Sequence, residues 1–484
     1  MRQNIKTYPA QQLAYVQTNI QNYCGSEGDK MGFSSNYIEG KGTFPHGVHP
    51  PERKRFSEDS AIEVMPPPKQ VTLPLLQNIG APSKSVVKPK QTIACNDLLA
   101  EAGGFVSSNL HAPISGKVQK NVNVTLPNGR HVSAISVKAD GDQISGQALF
   151  DDVLGGEWPT TDLEKYDSKT ITDAVQKAGI VGLGGAAFPT HVKLIPNPKK
   201  PVDTLIINGC ECEPYLTPDY RLMIEAPDAI ISGALLAAKA AGAKSIYIGI
   251  ENNKPKAISM LKKAAQGTGI SIAVLKTKYP QGSEKQLILA ITNRKVPVGA
   301  LPLDVGVVVS NVGSAACVAR AVLRSKPLTH RVISVTGEGI QTPKNVLAPI
   351  GITYRELIDF CGGLKSNAAR IISGGPMMGF AFADLSAPVT KGTSGVTVLT
   401  REDVREETET ACVRCGRCVD ACPMNLVPTR LALASRNKDL DLADRYNIMA
   451  CFECGSCAFI CPANLPIVQL VRMGKAQLMA QKKK

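Results

Sequence analysis

Eight of the chain's 14 cysteines fall between Cys412 and Cys461, in two copies of one pattern: CVRCGRCVDACP at 412–423 and CFECGSCAFICP at 451–462. Both read CxxCxxCxxxCP. Three thiolates spaced this way wrap one cubane iron-sulfur cluster in a tight loop, and the fourth follows on the next turn. Where two such motifs are paired, the fourth cysteine serves the other cluster. The predicted ligand sets are Cys412, Cys415, Cys418 and Cys461 for one [4Fe-4S] cluster, and Cys451, Cys454, Cys457 and Cys422 for the other. Zinc is the alternative for CxxC pairs, but two full copies of the four-cysteine pattern, each followed by proline, disfavour it. The 28 residues between Cys422 and Cys451 are helix-prone, with Leu431, Leu433, Leu440, Leu442 and Ala443 expected on one apolar face. An α-helical, two-cluster, ferredoxin-like domain that moves single electrons follows.

Such ligands need a reducing compartment, and the N-terminal stretch shows no apolar core or cleavage site of a secretory signal. Lys and Arg total 55 against 41 Asp and Glu, a net charge of +14. Nucleic-acid binding is not expected, because basic and aromatic residues do not interleave and aromatics make up only 5% of the chain. Residues 305–323 come nearest to a membrane span, but they contain Asn311 and Arg320, and their valine-rich half reads as a buried strand. Any membrane contact is therefore expected to be peripheral. The one basic run is the tail, where Arg472, Lys475 and Lys482 to Lys484 follow Pro462 with no acid among them. A solvated end and a contact with anionic lipid are its two readings.

Composition shifts divide the 484 residues into an irregular lead-in (1–40), a β module (41–135), an α/β domain (136–328), a second small module (329–395), the cluster domain (396–470) and the basic tail (471–484). Short strands are expected at 61–65, 70–73, 85–88 and 117–124. The stretch 86–118 resembles half of a lipoyl-like barrel-sandwich; it has no lysine between Gly103 and Pro113, so no lipoate or biotin is expected. From 170 onward, helices (170–178, 228–241, 255–266, 284–293, and one from Gly313) alternate with strands (204–208, 245–250, 270–276, 305–310). This alternation predicts a wound α/β sheet, with ligands beyond the carboxyl ends of its strands. Residues 331–385 predict two strands and a helix at 353–361 in a β-grasp-like module. An acidic linker, 401–410, precedes the clusters. Cys95, Cys317 and Cys361 read as small buried hydrophobes.

The loop Gly182-Leu183-Gly184-Gly185-Ala186-Ala187-Phe188 precedes Lys193, and glycine amides beside a lysine can hold a phosphate. Alone it is equally a plain turn. The strand at 204–208 runs into NGCECEP, placing Asn208, Glu211 and Glu213 at the sheet edge, where polar groups suit a flavin or nicotinamide rim. The strand at 270–276 leads to Gly282 and Glu284, and the next to Asn311. The alternative for Glu284 is an acid favoured at a helix start.

GLGGAAFPTHVK, NGCECEP, GSEKQL and SNVGS, followed by two CxxCxxCxxxCP motifs and preceded by FPHGVHPPERK, resemble the C subunit of the Rnf complexes over nearly the whole chain. These are membrane-associated, ion-translocating ferredoxin:NAD oxidoreductases. The middle of the chain is also similar to the NADH-binding flavoprotein subunit of complex I, whose pattern reads GRGGAGFPTG, NADEGEP and GEE. It departs from that pattern at Leu183, Ala187, Cys210, Cys212 and Ser283. The resemblance implies that residues 136–328 bind FMN noncovalently and stack NADH over it, and that the module at 329–395 is SLBB-like. It carries over Gly182, Gly184, Gly185, Phe188, Lys193, Asn208, Glu211, Glu213, Gly282, Glu284 and Asn311, with Phe188 a ring platform.

The implied fold is multidomain α/β. The implied function is a flavoprotein electron-transport subunit of a translocase. It lies peripherally on the cytoplasmic face of the bacterial inner membrane and passes electrons between NADH, FMN, two clusters and a ferredoxin-like partner subunit. A flavin is required between them because nicotinamides exchange hydride and clusters exchange single electrons; no side-chain acid or base is needed. The alternatives are a cobalamin reductase of related build and a non-enzymatic relay subunit, the latter excluded by FMN in the purified protein.

Overall fold

Apolar runs too short for helices, separated by small-residue helices, build the central layer. In the computed structural model, which describes residues 38–404 and 408–482, the strands Thr204–Asn208, Ser245–Glu251, Ser271–Leu275 and Val307–Asn311 form one parallel sheet. Leu205, Ile206 and Ile207 are all fully buried, as a strand covered on both faces requires. On one face the helix Pro227–Ala241 packs against Val312–Arg324. A Cβ at Gly233 would fall 1.8 Å from the Ala315 carbonyl oxygen, so only glycine permits this helix approach.

The barrel-sandwich pairs Gln70–Pro74, His131–Ala139, Gly116–Val118 and Thr92–Ile93 in one sheet, and Lys84–Ser85, Leu98–Glu101 and Leu110–His111 in another. Leu73, Leu99, Leu110 and Ile135 fill its core. The single strand expected at 117–124 is two, Gly116–Val118 and Val122–Thr125, both paired to His131–Ala139. Val118 faces Val137 and Val122 faces Ala134, so one extra residue bulges between them.

The third sheet runs Ile62–Val64, Lys344–Pro349, His330–Thr336, Gly395–Thr400, Ala368–Ser373, Phe380–Phe382. Its helix Tyr354–Phe360 starts at a capping box of Thr353 and Glu356. Four strands lie at 330–385 where two were expected, and the six-stranded sheet crosses the expected boundaries. Ile62–Val64 joins it as a parallel edge strand rather than entering the barrel-sandwich, and Gly395–Thr400 lies beside His330–Thr336. A three-residue strand has no core of its own, so its partner is set by where Ile62 is buried.

In the cluster domain the helices Pro428–Arg436, Leu440–Arg445 and Ile467–Gln481 pack together. Leu431 and Ala443 are buried as expected, but Leu433 faces solvent, because residues two apart lie on opposite sides of a helix. The expected free tail is largely the helix Ile467–Gln481, with Val471, Gly474 and Leu478 buried. Its described charges are paired: Arg472 and Lys475 with Glu453 at 2.9 and 2.6 Å, and Lys482 with Asp444 at 2.9 Å. Lys483, Lys484, nearly all of the lead-in and residues 405–407 of the acidic linker lie outside the described residues. No helix among the described residues is long and apolar enough to cross a membrane.

Candidate functional site

From Thr204–Asn208 the sheet grows first toward Ser245–Glu251 and Ser271–Leu275, then reverses to place Val307–Asn311 on the other side. The reversal opens a crevice at the carboxyl ends of Thr204–Asn208 and Val307–Asn311, the position where wound sheets take ligands. Asn208 and Asn311 are register partners at that edge. The Asn208 amide donates to the Gly282 carbonyl at 2.7 Å and accepts from Cys210 N–H at 3.1 Å. Asn311 donates to Asp219 at 2.6 Å and caps the Val312–Arg324 helix by accepting from Gly313 N–H at 2.8 Å.

The glycine-rich loop closes over this edge. Val181 and Pro189 bridge its ends, and Gly182 N–H donates to the Phe188 carbonyl at 2.8 Å. Leu183 N–H is anchored on Ser314 at 2.9 Å. The N–H groups of Gly184, Gly185 and Ala186 donate to no described residue, and all three residues are exposed. Gly185 has φ +115° with open space where a Cβ would stand, and a Cβ on Gly184 would be 3.5 Å from that of Asn311. Phe188 is half-buried beside them. Lys193, on the short helix Thr190–Leu194, donates to the Val309 carbonyl at 3.1 Å and to Glu284 at 2.8 Å. Glu284 is thus both the first residue of the Glu284–Thr292 helix and the lysine's partner.

Glu211 and Glu213 each accept hydrogen bonds from backbone amides. The Glu211 carboxylate accepts from Asp219 and Tyr220 N–H at 2.7 and 3.2 Å, holding the start of the Pro218–Glu225 helix. Glu213 accepts from Met377 and Met378 N–H at 3.2 and 2.8 Å, tying the crevice to the third sheet's Gly374–Gly379 turn. Burial pushes Glu211 up to about 8, against the pull of Lys54, and Glu213 up to about 7, against its two amide donors. Burial likewise raises Asp219.

Sequence reasoning assigned no role to Lys54, which is buried and donates to the carbonyls of Glu211, Glu213 and Leu216 at 2.8, 3.1 and 2.7 Å. It pins the NGCECEP loop from 157 residues away. Its only sequence signal was its place in FPHGVHPPERK. Arg331, also buried, reaches from the third sheet to the carbonyls of Leu183 and Lys391, holding the glycine loop from behind. No local pattern marks it.

The two cysteine motifs share one backbone. Arg414 and Glu453 have φ of 56° and 64°, and Gly416 and Gly455 of 78° and 84°, each pair at matching positions. Arg414 N–H points to Cys412 Sγ and Glu453 N–H to Cys451 Sγ, both at 3.4 Å. Cys422, Cys451, Cys454 and Cys457 line one cavity, walled by Leu426, Leu431, Ile467, Val468 and Val471. Cys418 lies within electrostatic reach of Cys461. Burial pushes the Cys451 thiol up to about 11, so a thiolate there needs a cationic centre to offset its desolvation. The loop 277–283 joins crevice to cavity: Gly282 meets Asn208, and Tyr279 Oη donates to the Cys454 carbonyl at 2.6 Å. Of the remaining cysteines, Cys361 is fully buried, Cys95 and Cys317 partly so, and Cys24 lies outside the described residues.

Both sites fit the groups their sequences imply. Three unspent amides over a polar strand edge suit a phosphate-bearing flavin, and four cysteines from two motifs around one apolar cavity suit an iron-sulfur cluster. Family models agree with this division: an RnfC barrel sandwich hybrid domain matches residues 42–142, a Nuo51 FMN-binding domain 175–320, an SLBB domain 332–381 and a 4Fe-4S dicluster domain 411–465. Among solved structures, the NAD+-reducing [NiFe]-hydrogenase in its H2-reduced state is similar at 21% identity and TM-score 0.47, over 67% of this chain and 63% of that one. The C subunit of the proton-translocating ferredoxin:NAD(+) oxidoreductase complex of Clostridium ljungdahlii is 45% identical over 90% of this chain and 94% of its own. The C subunit of the Na(+)-translocating complex of Acetobacterium woodii is 42% identical over 92% and 98%. With that identity over almost its full length, and with the barrel-sandwich, FMN-binding, SLBB and dicluster modules in order, the chain belongs to the family of C subunits of the ion-translocating ferredoxin:NAD(+) oxidoreductase complexes.

Proposed function

We propose that the chain is the subunit through which such a complex exchanges electrons with NADH or NAD+, docked peripherally on the cytoplasmic face of its membrane partners. Bound FMN would supply the conversion between hydride and single-electron chemistry that joins a nicotinamide to iron-sulfur clusters. The amides of Gly184, Gly185 and Ala186 with Lys193 would hold the flavin's phosphate end, and Asn208, Asn311 and the Gly282 backbone would border its ring. Phe188 offers a face for the nicotinamide or adenine. Glu211, Glu213 and Lys54 position this rim by fixing the NGCECEP loop, and Glu284 holds Lys193 in place.

The cluster sets we propose are Cys412, Cys415, Cys418 and Cys461, and Cys422, Cys451, Cys454 and Cys457. The lipoyl-like and β-grasp-like modules serve as supports in this reading. The observation that carries it is the run of three unspent amides above Asn311, in a crevice joined by one loop to the cysteine cavity.

Anaerobic NADH titration with optical and EPR detection tests it. The purified protein should carry FMN and bleach with NADH, while Lys193→Ala and Glu211→Ala lose that bleaching and keep cluster signals on dithionite reduction. Unchanged bleaching in both variants sinks the site assignment.

A further inference from the structure

The two cysteine loops present opposite characters to their surroundings. In the loop 451–457, Glu453 is held by Arg472 and Lys475, Gly455 rests on Met377, and Tyr279 bonds the Cys454 carbonyl. In the loop 412–418 the matching positions are Arg414, Gly416 and Cys415, all exposed, and a Cβ on Gly416 would meet nothing within 4 Å. Val413 is 64% exposed, and Cys415 is the only exposed cysteine among the described residues. Arg414 and Arg417 form no ion pair with a described residue, whereas the nearest preceding acid in the described chain, Glu409, is taken by Arg436 at 2.6 Å. Asp420 is the one other exposed charge of the motif, and its carbonyl is tied to His46 at 2.8 Å.

We propose that the loop 412–418, through Arg414, Arg417 and Val413, is the docking surface for an acidic iron-sulfur electron-carrier protein. The inference deepens the functional reading above and rests on it. Electron transfer falls steeply with distance, so a carrier must approach a cluster where the protein cover is thinnest, and that place is the exposed Cys415 loop. Two exposed guanidinium groups with no ion pair to a described residue, around an apolar residue, suit a transient partner. Complementary charge speeds encounter and orients it, and the small apolar contact lets it leave. Electron-transfer encounters of this kind bury little surface.

The test uses the full chain loaded with flavin and iron, the charge-reversal variant Arg414→Glu/Arg417→Glu, the neutral variant Arg414→Gln/Arg417→Gln, and Lys177→Glu as a distant charge control. The probe is a purified acidic two-cluster ferredoxin. Direct binding is measured by calorimetry, and NADH-driven ferredoxin reduction by stopped flow, both across ionic strength. Reversal should weaken binding and slow reduction by about tenfold at low salt and flatten the salt dependence; the neutral variant should fall between, and Lys177→Glu should match the parent. Iron content, cluster EPR and NADH bleaching of the flavin should be unchanged.

Equal ferredoxin binding in parent and both Arg414/Arg417 variants, with EPR intact, overturns the proposal. So does loss of co-sedimentation with phosphatidylglycerol vesicles in variants that still bind ferredoxin, which would make the loop a lipid contact. If the parent binds ferredoxin through these arginines but NADH fails to bleach the flavin, the functional reading fails and the docking surface stands.

Discussion

The loops CVRCGRC and CFECGSC have the same spacing and the same sequence of left-handed turns, yet one is a wall of the protein's interior and the other faces outward. At Gly455 an added Cβ would sit 2.6 Å from the Met377 carbonyl, while at Gly416 it would meet open space. Glu453 is clasped by two cations from the C-terminal helix, whereas its counterpart Arg414 is exposed and free of any described ion pair. Identical ligand chemistry therefore acquires two environments, one bound to the flavin-binding half and one open to partners. Reduction potentials respond to hydrogen bonding and solvent exposure, so the two clusters need not be equivalent.

The sharpest break of this asymmetry is ligand removal. Cys454→Ser and Cys415→Ser should each cost about half the bound iron. Only Cys454→Ser should also lower the melting temperature substantially under anaerobic conditions, because its loop is packed against Tyr279 and Met377. Equal melting temperatures would mean the two loops are equally independent of the rest of the chain.

The glycines come next. Gly416→Ala should cost only the left-handed strain, about 1–2 kcal/mol. Gly455→Ala should cost that plus about 1–3 kcal/mol for displacing the Met377 turn. Denaturant unfolding of both variants measures the difference directly.

Glu453→Gln should cost about 1–2 kcal/mol, since its partners are only partly shielded from water. Burial pushes the Glu453 carboxyl up, but the hydrogen bonds and charges of Lys475 and Arg472 outweigh it and hold the group below its ordinary value. A carboxyl depressed in the folded state stabilises above its unfolded pKa, and that contribution is lost as pH falls through the folded value. Wild type should therefore lose its advantage over Glu453→Gln as pH drops below about 4, read as converging melting temperatures.

The smallest effect expected is that of Tyr279→Phe, about 1 kcal/mol for an unpaired buried carbonyl at Cys454. It should leave ferredoxin binding at the other loop unchanged.

Much of this was legible in the chain itself. The strands ending at Asn208 and Asn311 are continuous apolar runs between helices, and that alternation places both asparagines at a sheet edge. The cysteine spacing marks all eight cysteines proposed as ligands without reference to anything else. What could not be read was governed by partners far along the chain. Ile62–Val64 is three residues of unremarkable pattern until Lys344–Pro349 offers it an edge. Lys54 and Arg331 look like surface charges until carbonyls 157 and 148 residues away surround them. Glu211 and Glu213 were expected at a ligand's rim because strand ends favour that role. What the strand ends do not show is that their carboxylates accept from backbone amides that only the folded chain brings near.

The sequence by itself determined the chemistry: two four-cysteine cubane motifs, a parallel sheet with polar strand ends, and a glycine loop able to bare its amides. Spacing and periodicity are local, and local geometry is enough to specify them. Only the tertiary structure decided which motif faces inward and which outward, because that choice rests on Tyr279, Met377, Arg472 and Lys475. Their contacts with the second loop are made by long-range packing, which leaves no signature in the spacing of the cysteines.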